Sequence, residues 1–178
     1  MDEAAARLLG GLIRSRSVAS LATLHDGAPF ASMIPFALWC DAPAARLRLV
    51  THVSRLSAHT RDMLESPRVC LLVTAEETDL AAEGGPSIPP QALPRVSMPA
   101  VATFIDASHP DHAACKRAYL DRFPFAAEWF ALGDFTLVTF EPRSSRFIAG
   151  FARAMTVSPE QLAAAVCVAE ASDLAEGR

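Results

Sequence analysis

The run from residue 47 to residue 67 passes from a strand pattern straight into a helix pattern. Apolar and polar residues alternate over residues 47–52, and this period of two predicts a half-buried β-strand. From Arg55 onward, apolar residues recur at helical spacing until Pro67 ends the pattern. The chain must therefore change direction and backbone conformation around Ser54 and Arg55.

Ser54 and Arg55 have the chemistry of an anion site. The first N–H groups of a helix lack internal partners, and the helix dipole favours negative charge there. A guanidinium group can also bind a phosphate through two hydrogen bonds. The same residues fit a simpler interpretation, in which Ser54 only caps the helix and Arg55 is solvated. This segment alone leaves both interpretations open.

The composition describes one folded domain. The chain has 178 residues, of which 51% are hydrophobic and 20% charged, a mixture that can bury a real core. The net charge of −4 argues against a general nucleic-acid-binding protein. No apolar run approaches the roughly 20 residues of a transmembrane helix, and the acidic start Met1-Asp2-Glu3 is unlike a signal peptide. We therefore expect no membrane association.

The four cysteines are widely spaced and form no Cys-x-x-Cys motif. Cys70 lies inside an apolar run, so the sequence predicts buried free thiols rather than disulfides or a zinc site. Such thiols are typical of a reducing compartment, and we expect a cytoplasmic protein. His109 and His112, like His52 and His59, lack the further ligands that a metal site needs, so no metal is predicted.

The rest of the pattern predicts a mainly β protein with helices (α+β), an antiparallel six- to seven-stranded split β-barrel with peripheral helices. Asp26-Gly27 is a strong hairpin signal, and Pro35 and Pro99 each indicate a bulge or an edge within a strand. We divide the single domain 1–178 into an N-terminal helix (1–16), a barrel (17–156) and a C-terminal helix with a tail (157–178). The proline-rich loop 84–94 could be a lid, a dimer arm or a passive connection.

Five segments of the chain carry a resemblance to a known family. They are the hairpin 20–29, the strand 32–36, the junction 54–60, the strand start 94–97, and the late segment that combines 134–135 with 146–154. In this order they resemble the FMN-binding split barrels related to pyridoxamine 5′-phosphate oxidase. The late segment is most similar to the haem-utilisation branch of that family. The resemblance covers about residues 7–156.

The resemblance implies a homodimer with FMN in clefts between the subunits. The second strand would lie along the flavin ring, the third strand and the helix start would hold the phosphate, and the end of the last strand would contact the cofactor of the second subunit. The residues in these three roles are, in order, Ser32, Met33, Ile34 and Pro35; Thr51, Ser54 and Arg55; and Gly150 and Arg153.

Two departures from the family pattern bear on activity. The chain ends in an acidic, alanine-rich segment, whereas pyridoxamine phosphate oxidases end in a basic segment that holds the substrate phosphate, so that activity is not expected. Haem-degrading relatives use a histidine near the C-terminus as an axial ligand, and here no histidine follows His112. Haem therefore ranks below FMN as the expected cofactor.

We expect a dimeric FMN-dependent oxidoreductase that acts on an unidentified small molecule. Flavin chemistry needs mainly a held ring and an open face for substrate, so we assign no catalytic residue. The alternative is a non-catalytic split barrel that binds flavin or haem and has a regulatory role. A deazaflavin in place of FMN is a third possibility.

Overall fold

The computed structural model describes residues 1–41, 46–76 and 89–167. Residues 84–88 of the predicted loop 84–94 and residues 168–178 of the predicted C-terminal segment lie outside these ranges. The described chain forms nine strands, four α-helices and two 3-10 helices. The strands are β1 (Val18–His25), β2 (Ala28–Pro35), β3 (Ala37–Asp41), β4 (Arg46–Ser54), β5 (Arg68–Thr74), β6 (Arg95–Ile105), β7 (Phe135–Pro142), β8 (Ser145–Ile148) and β9 (Ala154–Val157). The helices are α1 (Glu3–Ser15), α2 (Ala58–Glu65), α3 (His112–Arg122) and α4 (Pro159–Cys167), with 3-10 helices at Pro90–Ala92 and Pro124–Ala131.

The strands form one antiparallel sheet in the order β2-β1-β5-β6-β7-β4-β3, with the β8–β9 hairpin attached to β6. The predicted fold class is therefore confirmed, although the strands number nine. Pro35, which indicated a bulge or an edge, ends β2 at a sheet edge, and the chain continues as the separate strand β3. The strand β9 was not predicted.

Strand β6 exchanges partners at Pro99. On one edge it pairs with β8 over residues 95–97 and with β7 over residues 100–105. On its other edge it pairs with β5 without interruption, Cys70 facing Pro99. The missing N–H of Pro99 thus coincides with the change from one partner to the next, which is why no bulge is needed there.

Strand β4 is buried on both faces, and the prediction of a half-buried strand is wrong. Leu47, Leu49 and Val53 pack in the main core, and α4 contacts the strand. Val50, on the opposite face, packs in a second core against α3. The sequence pattern misses this burial because α3 and the 3-10 helix 124–131, which are far along the chain, cover the outer face of the strand.

A buried carboxylate connects α2 to the first hairpin. Asp62 Oδ2 accepts a hydrogen bond from Thr23 Oγ1 at 2.7 Å, and Asp62 Oδ1 lies 2.7 Å from His25 Nδ1. Burial raises the pKa of Asp62, but the hydrogen bonds from Thr23 and His25 outweigh it and hold that pKa below its ordinary value. The same contact raises the pKa of His25. This network orients α2 and hence the β4–α2 junction.

Cys40 and Cys167 form a disulfide, so the prediction of four free thiols is wrong for this pair. Their Cα atoms lie 5.7 Å apart although 127 residues separate them in sequence. Folding places the end of α4 beside β3, which no spacing in the sequence reveals. Cys70 and Cys115 are free, as predicted. Because disulfides are rare in a reducing cytoplasm, the bond weakens the argument for that location.

None of the helices within the described ranges is long and apolar enough to cross a membrane.

The disulfide makes a testable contribution to stability. Because it closes a loop of more than a hundred residues, Cys167→Ser should lower the free energy of unfolding by about 3–5 kcal/mol in urea titrations. With excess dithiothreitol the variant and the unmodified protein should become equally stable, and Cys70→Ser should have a small effect in both conditions. Equal stability without reductant would show that the two sulfurs are not bonded.

Candidate functional site

A cavity of about 290 Å³ lies where the end of β4 meets α3 and the loop before β7, and we call it the β4–α3 cavity. Its walls combine basic side chains, one carboxylate and aromatic rings. The lining residues are His52, Arg55, Ile105, Asp106, Ala107, His112, Lys116, Phe130, Leu132, Gly133, Phe135, Thr136 and Leu137. The cavity therefore joins the predicted anion seat at Arg55 to residues from two distant segments of the chain.

Cations outnumber the single carboxylate of the β4–α3 cavity. Arg55 is exposed and its side chain has no hydrogen bond or ion pair to the described residues. Lys116 Nζ lies 4.7 Å from the centre of the Phe130 ring, a cation–π contact that leaves its charge available. Asp106 is already occupied, because its Oδ1 accepts from the N–H and the hydroxyl of Ser108. The cavity is thus suited to an anionic group.

His52 is the most buried polar residue of the cavity, with 6% of its surface exposed. Its ring stacks on Phe130 at a centroid distance of 3.9 Å, and its Nδ1 is buried without a hydrogen-bond partner among the described residues. Burial, with help from nearby Lys116 and His112, lowers the pKa of His52 to about 4. At neutral pH the imidazole is therefore uncharged, the form in which a histidine can bind a metal.

The structure changes both interpretations of the β4–α2 junction. The N-cap of α2 is Ser57, so Ser54 is not the helix cap. Ser54 Oγ donates to Asp134 Oδ2 at 2.8 Å, and the Arg55 N–H donates to the Asp134 carbonyl at 2.7 Å. The N–H of Leu56 donates to Ser54 Oγ at 3.1 Å. Of the predicted phosphate ligands at this junction, only the Arg55 guanidinium is without a partner in the described part of the chain.

Thr51 is placed apart from this junction. It is fully buried, and because side chains alternate along a strand it faces the main core while His52 and Ser54 face the other way. Its Oγ1 is buried and has no partner among the described residues. The structure therefore brings Arg55 together with His52 rather than with Thr51.

The residues predicted to lie along a flavin ring occupy β2, an edge strand whose outer side pairs with no described strand. Ile34 is buried in the main core and Met33 is 64% exposed on the opposite face. Ser32 Oγ is buried without a partner in the described ranges, and Pro35 is the last residue of the strand. Their contact with a cofactor stays a prediction.

Gly150 and Arg153 lie in the turn between β8 and β9, outside the β4–α3 cavity. Gly150 has φ +147°, which a side chain would strain, and Arg153 Nη2 lies 3.4 Å from Asp2 Oδ2. Phe151, beside them, is 78% exposed. A contact of this turn with a second subunit also stays a prediction.

Sequence reasoning missed the residues that α3 and the following segment bring to the cavity, chiefly His112, Lys116 and Phe130. His112 and Lys116 are four positions apart and share a helix face, a signal that the sequence contains. Nothing in the sequence shows that this face covers β4. Within the described ranges, no three His, Cys, Asp or Glu side chains converge on a metal site.

The fold and this sequence pattern define a family. Residues 2–163 match the β-barrel family described as "CREG, beta-barrel", and the chain belongs to that family. The resemblance to split barrels of the haem-utilisation branch is thereby confirmed, since its relatives include both haem proteins and pyridoxamine phosphate oxidase-like folds.

Three relatives illustrate the range. A protein of Arabidopsis thaliana called "Non-canonical heme oxygenase HOZ, chloroplastic" is 32% identical over 136 residues, which are 76% of this chain but 36% of that protein. A heme binding protein from Mycobacterium smegmatis superimposes with a TM-score of 0.73 and 26% identity, over 92% of this chain and 62% of that one. A putative pyridoxamine 5′-phosphate oxidase from Listeria innocua gives a TM-score of 0.54 at 16% identity, over 83% of this chain and all of that one, a likeness of fold alone. The chain thus spans about a third of the curated relative.

The ionisation of His52 can be measured directly. Its imidazole NMR signals should titrate with a midpoint near pH 4, whereas those of His25 should titrate above the ordinary 6.5. Because the unfolded chain takes up the His52 proton near pH 6.5 and the folded chain only near 4, this residue should cost stability as the pH falls through that window. A His52 midpoint near 6.5 would show that the ring is solvated.

Proposed function

We propose that this protein binds haem, with the β4–α3 cavity holding one edge of the group. The observation that carries the proposal is the 32% identity to a haem oxygenase over 136 residues, supported by the likeness to a heme binding protein at 26% identity. Flavin catalysis has no comparable support, because the oxidase-like neighbour shares the fold at 16% identity. The proposal therefore favours the alternative of a haem-binding split barrel over an FMN oxidoreductase.

The residues of the cavity fit the chemistry of haem. Two imidazoles, His52 and His112, line the cavity, and iron ligation needs a neutral imidazole such as that of His52. Arg55 and Lys116 supply two positive charges that can pair with the two carboxylates of haem. Phe130 and other apolar side chains offer surface for a flat apolar ring. These residues would bind and orient the group, whose iron would supply any redox chemistry.

The volume of the cavity indicates that one chain does not enclose the whole group. About 290 Å³ is at the lower limit of the roughly 300–1,000 Å³ typical of small-molecule pockets. A group as large as haem would therefore extend beyond the cavity. We propose that a second copy of the chain covers the remainder, in keeping with the homodimer that the family resemblance implies.

Haem titration tests the proposal. Addition of hemin to the purified protein should give a shifted, saturable Soret band, and the double variant His52→Ala/His112→Ala should lose that shift. Arg55→Ala should weaken binding by about ten- to a hundredfold, since a hydrogen bond to a charged group contributes about 1.5–3 kcal/mol. His25 does not line the cavity, and His25→Gln keeps a side-chain donor for Asp62, so this control should bind hemin normally.

Two outcomes would contradict this assignment. If the spectrum of the mixture equals the sum of the spectra of the protein and of free hemin, this chain does not bind haem. A normal Soret shift in the double histidine variant would move the haem site away from the β4–α3 cavity. Circular dichroism of each variant establishes that the fold is intact.

Loss of the Soret band after addition of ascorbate and oxygen would further indicate that the bound haem is degraded.

FMN is the second candidate, because β2 offers what the family resemblance requires of a flavin-binding strand. Its outer edge has no partner strand in the described part of the chain, and Ser32 Oγ is a buried polar group without a hydrogen bond there. Titration with FMN, followed by its absorbance, is the matching experiment. If FMN binds and Ser32→Ala weakens its binding while hemin does not bind at all, the oxidoreductase proposal takes precedence.

The proposed dimer has a candidate surface on the outer face of β1, β2 and β5. On this face Met33 of β2 pairs with Ser20 of β1, and Ser20 pairs on its other side with Leu72 of β5. Exposed apolar side chains follow the same face, namely Val18, Leu24, Met33 and Leu72. Such a continuous apolar patch is typical of an interface between protein chains.

Replacement of Met33 and Leu72 by glutamate should therefore convert a dimer into a monomer, which halves the molecular mass measured by light scattering after size exclusion. The buried like charges would be too costly to desolvate in an interface. Leu64→Glu, an exposed apolar residue on α2, is the matched control and should leave the mass unchanged. A dimer that survives the double substitution would place the interface elsewhere.

A further inference from the structure

A second cavity, of about 480 Å³, is separate from the β4–α3 cavity and shares no residue with it. It is a groove between the end of α1, the strand β3 and one face of α3, and we call it the arginine groove. Its lining residues are Arg14, Arg16, Phe36, Ala37, Leu38, Trp39, Cys40, Ala114, Arg117, Ala118, Asp121, Arg122 and Val166. Nothing in the proposed function uses this groove.

Helix α3 presents a complete face to the groove. The lining positions 114, 117, 118, 121 and 122 recur at helical spacing, so they form one stripe along the helix. The opposite stripe, with Cys115 and Tyr119, is buried in the second core. The groove side of α3 therefore offers two small alanines as an apolar surface, with Arg117 and Arg122 next to them.

Positive charge in the groove exceeds negative charge. Arg14, Arg117 and Arg122 form no ion pair with a carboxylate of the described residues, although Asp121 also lines the groove. Arg16 differs, because it pairs with Glu76 at 2.7 Å. Arg14, Arg117 and Arg122 outnumber Asp121, so the groove has a local positive field that attracts anions although the protein has a net charge of −4.

One of these cations is held in place by the fold. Arg14 Nη1 donates to the carbonyls of Ala165 and Val166, each at 3.1 Å, at the end of α4. Arg122 Nη2 lies 3.4 Å from the Arg14 carbonyl, which brings the two arginines to the same end of the groove. A guanidinium whose orientation is already fixed loses little entropy when it binds a ligand.

The floor of the groove follows the edge of a strand. Five consecutive residues, 36–40, line it, and side chains that alternate between faces can all do so only if the groove runs along the strand edge. Strand β3 pairs with β4 alone among the described strands, so its outer N–H groups are unpaired by the sheet. Those groups add hydrogen-bond donors for an oxyanion beside the partly exposed apolar side chains of Leu38 and Trp39.

We propose that the arginine groove binds a small molecule that carries a phosphate or diphosphate group. Guanidinium groups bind phosphate through paired hydrogen bonds. The charge of three such groups matches a multiply charged phosphate ligand better than a ligand with a single carboxylate. The volume of about 480 Å³ lies within the range of small-molecule pockets. The apolar floor accommodates the organic part of the molecule.

Calorimetric titration of the full chain with inorganic pyrophosphate tests the proposal. A saturable single site is expected, and Arg117→Ala/Arg122→Ala should weaken it by about a hundredfold, roughly tenfold for each charged hydrogen-bonding group removed. Arg14 is left unchanged because it also caps α4. The control Arg143→Ala/Arg146→Ala removes the same charge from exposed arginines outside the groove and should bind pyrophosphate normally.

Three results would overturn the proposal: no binding of pyrophosphate, equal weakening in both double variants, or succinate binding as tightly as pyrophosphate. Equal weakening would show general charge attraction, and tight succinate binding would show a carboxylate site. Hemin titration of the groove variant should be unchanged, so that this result is independent of the haem proposal.

Discussion

The rest of the fold depends on how β6 pairs. This strand of 11 residues bonds to β5 along one edge, and to β8 and then β7 along the other. Pro99 lies at the change of partner, where it has no N–H to leave unsatisfied. The two halves of the sheet are joined through this strand, and β7 in turn positions β4, whose end carries the proposed site.

The proposed site exists because β4 has a second core on its outer face. Helix α3 and the 3-10 helix after it bury His52 against Phe130, and the desolvation of its ring keeps the imidazole neutral. The same helix places Lys116 and His112 at the β4–α3 cavity. Its stripe of positions 114, 117, 118, 121 and 122 lines the arginine groove. A single peripheral helix thus contributes to two separate cavities, one with imidazoles and one with guanidinium groups.

Local patterns predicted the elements better than their surroundings. The Asp26-Gly27 hairpin, the helix that ends before Pro67 and the C-terminal helix follow from turn chemistry and periodicity, which depend on neighbouring residues only. The predictions of a half-buried β4 and of free thiols at Cys40 and Cys167 were wrong, because β4 is buried on both faces and the two cysteines form a disulfide. Both depend on contacts between segments that are far apart in the chain, and periodicity contains no information about such contacts.

The sequence by itself determined the family and fold class, since the order of hairpins, prolines and the strand–helix junction is a property of the linear chain. It also placed Arg55 at that junction as a candidate anion-binding residue. Only the tertiary structure decided what surrounds Arg55: Ser54 is occupied by Asp134, Thr51 faces the main core, and α3 brings two further basic residues. The physical reason is that a site is made of side chains that converge in space, and the packing of α3 against β4 sets that convergence.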